Sequence, residues 1–198
     1  MSAQPTVISD ANTTWELPSR GRIGMFCLIS AESAIFTIFV VAYLFYVGKS
    51  LTGPTPKDVL HTPIFFTICL LSSSLMIHLA VRSLKRVNIR GFSLWWFLTL
   101  ALGATFLFGT AREWRHLIYD EGLTIQTNLF GTTYYSLVGL HAFHVTVGLL
   151  GITTVLLFAL LGYVRQEHAE RIDVLALYWH FVDAVWVVVF AVVYVVGR

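Results

Sequence analysis

The sequence YWHFVDAVW at residues 178–186 lies inside an apolar stretch long enough to cross a lipid bilayer. It contains His180 and Asp183, although a charged residue at the centre of a membrane helix costs about 2.5–3.5 kcal/mol. Residues three apart share one face of a helix, so we expect His180 to hydrogen-bond Asp183. The segment therefore predicts a polar pair beside an aromatic ridge that seats the last helix against its partners. The packing residues of this ridge are Tyr178, Trp179 and Trp186.

The composition indicates an integral membrane protein. Of the 198 residues, 57% are hydrophobic and only 12% are charged, whereas a soluble domain has about 25% charged residues. The net charge of +2 is too small to indicate a nucleic-acid partner. Cys27 and Cys69 lie in apolar runs, so we expect two small buried residues and no disulfide between them.

Apolar runs of about 20 residues, separated by polar or glycine- and proline-containing breaks, predict five membrane-spanning helices. The expected fold class is therefore all-α, with one five-helix membrane domain at residues 22–198. Residues 1–21 contain no apolar signal segment and are expected to form a polar tail. The predicted helices cover about residues 23–47, 63–84, 92–114, 130–163 and 174–196.

The distribution of Lys and Arg predicts how the bundle is oriented. An odd number of helices places the termini on opposite sides of the membrane, and eight of the basic residues share the side of the N-terminus. The N-terminus is therefore expected in the cytoplasm and the C-terminus outside. The N-terminal side has Arg20, Arg22, Arg82, Lys85, Arg86, Arg90, Arg165 and Arg171, and the other side has Lys49, Lys57, Arg112, Arg115 and Arg198.

Small residues recur at positions where helices could meet. Helices in lipid associate through close packing and interhelical hydrogen bonds, so we expect these residues to allow close approach of neighbouring backbones. They are Ser30, Ala34, Ser72, Ser73, Ser74, Gly103, Gly139 and Gly148.

Three further ionisable residues lie within or at the ends of predicted helices. Glu32 is near mid-membrane, where we expect a carboxyl hydrogen-bonded to a neighbouring helix; a proton or water path and a lipid headgroup contact are the alternatives. His78, one turn after Ser74, is expected to be a packing histidine. Glu113 ends the third helix and is expected to join an interfacial charge cluster. The other members of that cluster are Arg112, Arg115 and His116.

His141 and His144 form an H-x-x-H on the fourth helix and so share one face, as two metal ligands would. Two ligands do not complete a metal site. Hydrogen-bonded histidines between helices are therefore the favoured interpretation, and we predict no metal. The sequence also has no phosphate-binding glycine loop, haem-attachment motif or nucleophile elbow, so no catalytic residue is predicted.

From about Arg22 onward, the chain resembles subunit III of the haem–copper respiratory oxidases, the cytochrome c oxidase subunit 3 family. The motif at residues 178–186 is similar to the family's Tyr-Trp-His-Phe-Val-Asp-x-Val-Trp, and GLHAFHVTVGLL at residues 139–150 is similar to its second histidine motif. Three weaker matches occur in order on the first three helices. These are Ser30-Ala31-Glu32, LLSSS at residues 70–74, and LGATFL at residues 102–107 followed by Glu113-Trp114.

The resemblance implies a non-catalytic subunit. In the family, subunit I holds the haems and copper, reduces oxygen and pumps protons, whereas subunit III packs against it, binds phospholipid and supports proton uptake. No cofactor is therefore expected on this chain, and its implied partners are subunit I, subunit II and smaller subunits. Glu32 would be the family's buried carboxylate. His141, His144, His180 and Asp183 would be its interhelical polar network.

The chain also departs from the family pattern. It lacks the first two of the seven helices of the animal mitochondrial form, and five-helix forms are typical of bacteria, so a bacterial inner membrane is expected. Thr110 replaces a usual Gln, Asp173 replaces a usual Glu, and Ala142 replaces a motif Gly. These differences suggest a divergent branch.

Other functions remain open at this stage. The same fold would serve a quinol oxidase, whose electron donor is bound by other subunits, or nitric oxide reductase as an accessory subunit. A small metal-dependent membrane enzyme could use His141, His144 and His180. A proton-coupled transporter is disfavoured because there is no inverted repeat and no broken helix with paired glycines.

Overall fold

The computed structural model describes residues 19–50, 53–60 and 62–197. The first 18 residues of the expected polar tail, the Lys57 side chain and Arg198 lie outside this description. The described residues form helices and contain no strand. The helices are α1 (Arg20–Tyr46), α2 (Pro56–Val59), α3 (Ile64–Lys85), α4 (Ile89–Tyr119), α5 (Leu129–Leu160), a 3₁₀ turn (Gln166–His168), α6 (Ala169–Phe190) and a π-helical segment (Ala191–Val196).

The predicted all-α fold with five spans is confirmed. Five helices of the described chain are long and apolar enough to cross a membrane: α1, α3, α4, α5, and α6 with its flanking turns. Helix α4 is longer than predicted, since it starts at Ile89 and continues to Tyr119. The Asn88 side chain caps its start by accepting a hydrogen bond from the Gly91 N–H at 2.9 Å. Asn128 caps α5 in the same way, through the Gly131 N–H at 2.8 Å.

The five spans form a bundle in which α5 and α6 are the most enclosed and α1 is peripheral. Helix α6 contacts α1, α3 and α5, while α4 packs between α3 and α5. Only Phe36 and Tyr43 of α1 are buried. Cys27 on this helix is exposed, contrary to our expectation, and Cys69 on α3 is buried; both are free thiols.

The bundle has two ends, which we call the N-terminal face and the C-terminal face. The N-terminal face carries the start of α1, the end of α3 and the start of α6, which an ion cluster joins: Arg22 pairs with Asp173, and Lys85 lies 3.6 Å from the same carboxylate. The C-terminal face carries α2 and the α4–α5 connection, where the Asn128 amide donates to the Pro54 carbonyl at 3.2 Å. Which face lies in the cytoplasm stays a prediction.

Trp179 lies where four helices meet. Its ring packs between Gly103 of α4 and Gly148 of α5, and a Cβ added at either glycine would come within 2.9 Å or 2.8 Å of ring carbons. Its indole N–H donates to Ser73 Oγ of α3 at 2.8 Å. The close approach expected at Gly103 and Gly148 is therefore made by an indole ring. Through this ring, the aromatic ridge packs α6 against other helices of the same chain.

Candidate functional site

A first polar cluster joins α3 to α6 near mid-bundle. The Ser74 hydroxyl donates to Asp183 Oδ2 and lies 3.0 Å from His180 Nδ1. Asp183 is 3% exposed, and its second oxygen, Oδ1, has no hydrogen-bond partner among the described residues. Because the Ser74 proton is committed to Asp183, the His180 Nδ1–H donates to Ser74 Oγ. The chain of bonds therefore runs from His180 through Ser74 to Asp183.

This cluster differs from the direct His180–Asp183 bond predicted from sequence. The two residues do share a face of α6, but the serine of the opposite helix lies between their polar atoms. The bond that would have stayed within one helix is thus replaced by two bonds across a helix interface. Only the position of the neighbouring helix decides between these arrangements.

A second cluster joins α1 to α5. Glu32 Oε2 lies 3.1 Å from His144 Nε2, and His144 Nδ1 lies 2.8 Å from the Leu140 carbonyl oxygen. The carbonyl can only accept, so Nδ1 carries a proton. A proton must then lie between Nε2 and the Glu32 carboxyl, supplied by one or the other. The hydrogen bond expected for Glu32 with a neighbouring helix is present, and Tyr178 adds a bond to the His144 carbonyl at 3.2 Å.

His141 lies on the same helix but makes different contacts. Its ring is fully buried, and neither ring nitrogen has a hydrogen-bond partner among the described residues. It lies 5.0 Å from Trp186 and 5.8 Å from Phe106, measured between ring centroids. The expectation of hydrogen-bonded histidines is therefore correct for His144 and wrong for His141, which packs among aromatic rings. Within the described ranges, no three His, Cys, Asp or Glu residues come together as metal ligands.

A third cluster lies near the C-terminal face. Tyr194 donates its hydroxyl to Glu113 Oε1 at 2.9 Å, and the Tyr134 hydroxyl lies 3.5 Å from that of Tyr194. Tyr194 belongs to the π-helical segment that ends the chain's last span, and such segments are frequent at functional sites. The interfacial cluster expected around Glu113 is partly formed: Arg112, Arg115 and His116 line one cleft with Glu113, but the Glu113 carboxylate accepts its hydrogen bond from Tyr194 of the last span. The sequence signal that could have revealed the partner was an ionisable tyrosine inside the last apolar run.

A cleft of about 460 Å³ opens at the N-terminal face between α1, α3 and α6. Its polar lining includes Arg22, His78, Asp173 and His180. His78 is exposed in this cleft, so the expectation of a packing histidine is wrong. His180 belongs both to the cleft and to the first cluster, and it therefore links the cleft to Ser74 and Asp183.

Comparison with known proteins shows which family the chain resembles. The family model described as cytochrome c oxidase subunit III matches residues 14–198. The cytochrome c oxidase subunit 3 of Alkalihalophilus pseudofirmus is 34% identical over 177 residues, which is 88% of this chain and 86% of that protein. Its counterpart in Synechocystis is 38% identical over 181 residues, which is 89% of this chain and 76% of that protein. The quinol oxidase subunit 3 of Bacillus subtilis is 29% identical over 177 residues, which is 88% of this chain and 86% of that protein.

Proposed function

We propose that this chain, which belongs to the cytochrome c oxidase subunit III family, stabilises a haem–copper oxidase without taking part in its redox chemistry. This role is supported by the contacts of the polar side chains within the spans, which link one helix to another. Ser74 joins α3 to α6, and Glu32 joins α1 to α5. These groups hold helices together, and the haems and copper would lie in the partner subunit I. Subunit II and smaller subunits would be further partners.

The oxidase could take electrons from cytochrome c or from quinol. Relatives of both kinds resemble this chain, and the quinol oxidase subunit 3 of Bacillus subtilis covers the same 88% of it as the Alkalihalophilus protein. Cytochrome c is our first choice, since relatives named for it reach 38% identity. A metal-dependent enzyme is not proposed, because His141 and His144 face different neighbours.

The cleft at the N-terminal face is our candidate for phospholipid binding. Arg22 lies at its rim and His78 and His180 along its wall, while Phe26 and Leu177 supply apolar surface. A phosphate at the rim and an acyl chain along the apolar wall would match this division of polar and apolar surface. The cation of Arg22 is shared with Asp173, so the headgroup would compete for part of that interaction.

We further propose that Glu32 supports proton uptake by the complex. The Glu32 side chain is 23% exposed while that of His144 is 7% exposed, so the pair reaches from the interior to the outer surface of the bundle. A single proton lies between the two groups and can pass from one to the other. In this role, the Glu32 carboxyl would affect proton uptake by the complex but would not be essential for oxygen reduction.

Purification of the affinity-tagged chain in a gentle detergent tests the proposed role. Subunits I and II and a haem absorption spectrum should co-purify, and a copper-binding subunit II would identify cytochrome c as the donor. Recovery of the chain alone, with stoichiometric iron or zinc and no oxidase subunit, would overturn the proposal.

A further inference from the structure

A second cleft, which we call the outer cleft, opens at the C-terminal face between the start of α3 and the last third of α4. Its volume is about 690 Å³. The α3 wall includes Pro63 and Phe66, and Gly109 of α4 forms part of the floor. Gly109 allows Phe66 to lie against the α4 backbone, since a Cβ there would be 2.4 Å from the phenyl ring. The inner part of the cleft is therefore largely apolar.

The rim of the outer cleft carries two guanidinium groups. Arg112 and Arg115 are exposed, and no side chain in the described part of the protein forms an ion pair or hydrogen bond with either of them. Two carboxylates also line the outer cleft, and each has a partner: Glu113 accepts from Tyr194, and Asp120 lies 2.6 Å from His116 Nδ1. Among the described residues, nothing therefore competes with an added anion for these two cations.

The depth of this cleft matches the boundary between acyl chains and headgroups. Helix α3 has 22 residues, or about 33 Å at 1.5 Å per residue, which is close to the hydrocarbon thickness of about 30 Å. Its first turn, with Phe66, therefore lies at the edge of the hydrocarbon layer. Helix α4 has 31 residues, or about 46 Å, so its last turns reach the headgroup layer with Arg112 and Arg115.

The surface beside the outer cleft is also suited to lipid. Ile64 and Phe65 of α3 are 60% and 66% exposed, and Phe108 of α4 is 68% exposed. An acyl chain lying on Phe66 would continue onto this surface without crossing a polar barrier. An acidic protein segment would satisfy the guanidinium groups but would leave the apolar wall below them uncovered.

We propose that the outer cleft binds one phospholipid, with the phosphodiester held by Arg112 and Arg115 and an acyl chain against Pro63 and Phe66. Guanidinium groups bind phosphate oxygens through paired charge-assisted hydrogen bonds, which an ammonium group does not reproduce. This site lies at the opposite face from the cleft at Arg22 and is independent of the proton role of Glu32. Its lipid would join α3 to α4 near the Glu113–Tyr194 bond.

Native mass spectrometry of the intact complex, delipidated and then titrated with phosphatidylglycerol, tests this site. In the double variant R112Q/R115Q, subunit III released from the complex should carry one tightly bound phospholipid fewer, with affinity at that site weaker by about tenfold or more, as expected for lost bonds to a charged group. The variant R112K/R115K should lie between it and the wild type. Monoolein, which lacks the phosphate, should bind equally to all three.

A charge-matched control is R86Q/R90Q, which removes two exposed arginines at the other face and should leave the phosphatidylglycerol titration unchanged. An unchanged titration in R112Q/R115Q would overturn the proposal, as would monoolein binding as tightly as phosphatidylglycerol. Unchanged lipid together with loss of a partner subunit would show instead that the arginines bind an acidic protein segment. Loss of lipid in Arg22→Gln alone would concern the cleft at the N-terminal face and not this one.

Discussion

The hydroxyl of Ser74 lies between two ionisable side chains of another helix. It donates to Asp183 and accepts from His180, so it satisfies a carboxylate and an imidazole at once. Asp183 has no other partner among the described residues. A buried polar group without a partner costs more than the bond itself contributes. Ser74 is therefore more important to this interface than either its size or its apolar surroundings suggest.

The variant Ser74→Ala should destabilise the complex, because Asp183 and His180 would both lose their bond across the interface. Leaving buried polar groups unsatisfied costs about 1–3 kcal/mol each. The measurement is the fraction of complex that stays assembled on native gels after heating in detergent. His180→Leu should also reduce assembly, though by less, since the Ser74–Asp183 bond would remain.

The control for this prediction is Ser72→Ala, two residues away on the same helix. The described structure shows no hydrogen bond from the Ser72 side chain, so its loss should have little effect. Equal heat stability of the Ser72 and Ser74 variants would show that the bridge to α6 does not stabilise the bundle.

Glu32→Gln should assemble normally and change proton-linked activity only modestly. The glutamine amide can still hydrogen-bond His144 Nε2 at the same position, but it cannot exchange a proton with it. Native gels measure assembly, and an oxygen electrode with a pH indicator measures turnover and proton uptake. Glu32→Leu, which also loses the hydrogen bond, separates the structural contribution from the proton contribution. Complete loss of oxygen consumption in fully assembled Glu32→Gln complex would contradict the prediction.

At the scale of the helix, the packing of α6 depends on the space that two glycines leave for Trp179. Gly103 and Gly148 contact opposite parts of the indole, and Ser73 fixes its N–H. Trp186 repeats the arrangement two turns later, where its N–H donates to Thr67 of α3 at 3.1 Å. The three helices α3, α4 and α5 thus define the position of α6 through aromatic side chains, as small residues permit in membrane bundles.

Gly148→Ala should weaken the bundle, even though alanine has the higher helix propensity. The new Cβ would lie 2.8 Å from Trp179, and overpacking of this kind costs about 1–3 kcal/mol, more than the roughly 1 kcal/mol that alanine gains over glycine in a helix. The indole cannot move away, because Gly103 lies on its other side. The thermal midpoint of the purified complex should fall.

The matched control is Gly24→Ala on α1, where a Cβ would meet no atom within 4 Å. Its thermal midpoint should be unchanged or slightly higher. A Gly148→Ala complex as stable as the Gly24→Ala complex would mean that the ring shifts without cost.

At the scale of the whole molecule, the spans differ in how firmly they are enclosed. Helices α5 and α6 are the most enclosed spans, whereas α1 is held chiefly by Phe36, Tyr43 and two polar links, Glu32–His144 and Arg22–Asp173. Basic residues concentrate at the N-terminal face. That face is expected in the cytoplasm, because lysine and arginine are retained there.

Labelling of introduced cysteines tests this orientation. In a background without Cys27 and Cys69, Gln126→Cys at the C-terminal face should react with a membrane-impermeant maleimide in intact cells, whereas Glu170→Cys at the N-terminal face should react only after the cells are opened. Both residues are exposed, so accessibility differs only by side. The reverse labelling pattern would place the N-terminus outside.

The sequence by itself determined the class of protein, the five spans and the positions of the polar residues along them. These depend on the length of apolar runs and the position of charges along one chain, which are local properties. The motif at residues 178–186 also identified the packing role of Trp179 and Trp186, since both rings are buried in the chain.

The tertiary structure alone decided which partner each polar residue takes. Ser74 stands between His180 and Asp183, Glu32 reaches His144, and Glu113 turns inward to Tyr194. Lipid tails are as apolar as leucine, so hydrophobicity does not fix which side of a span faces its neighbours. The rotation and lateral order of the helices are instead set by close packing at positions such as Gly103 and Gly148, and these packing contacts join residues far apart in the sequence.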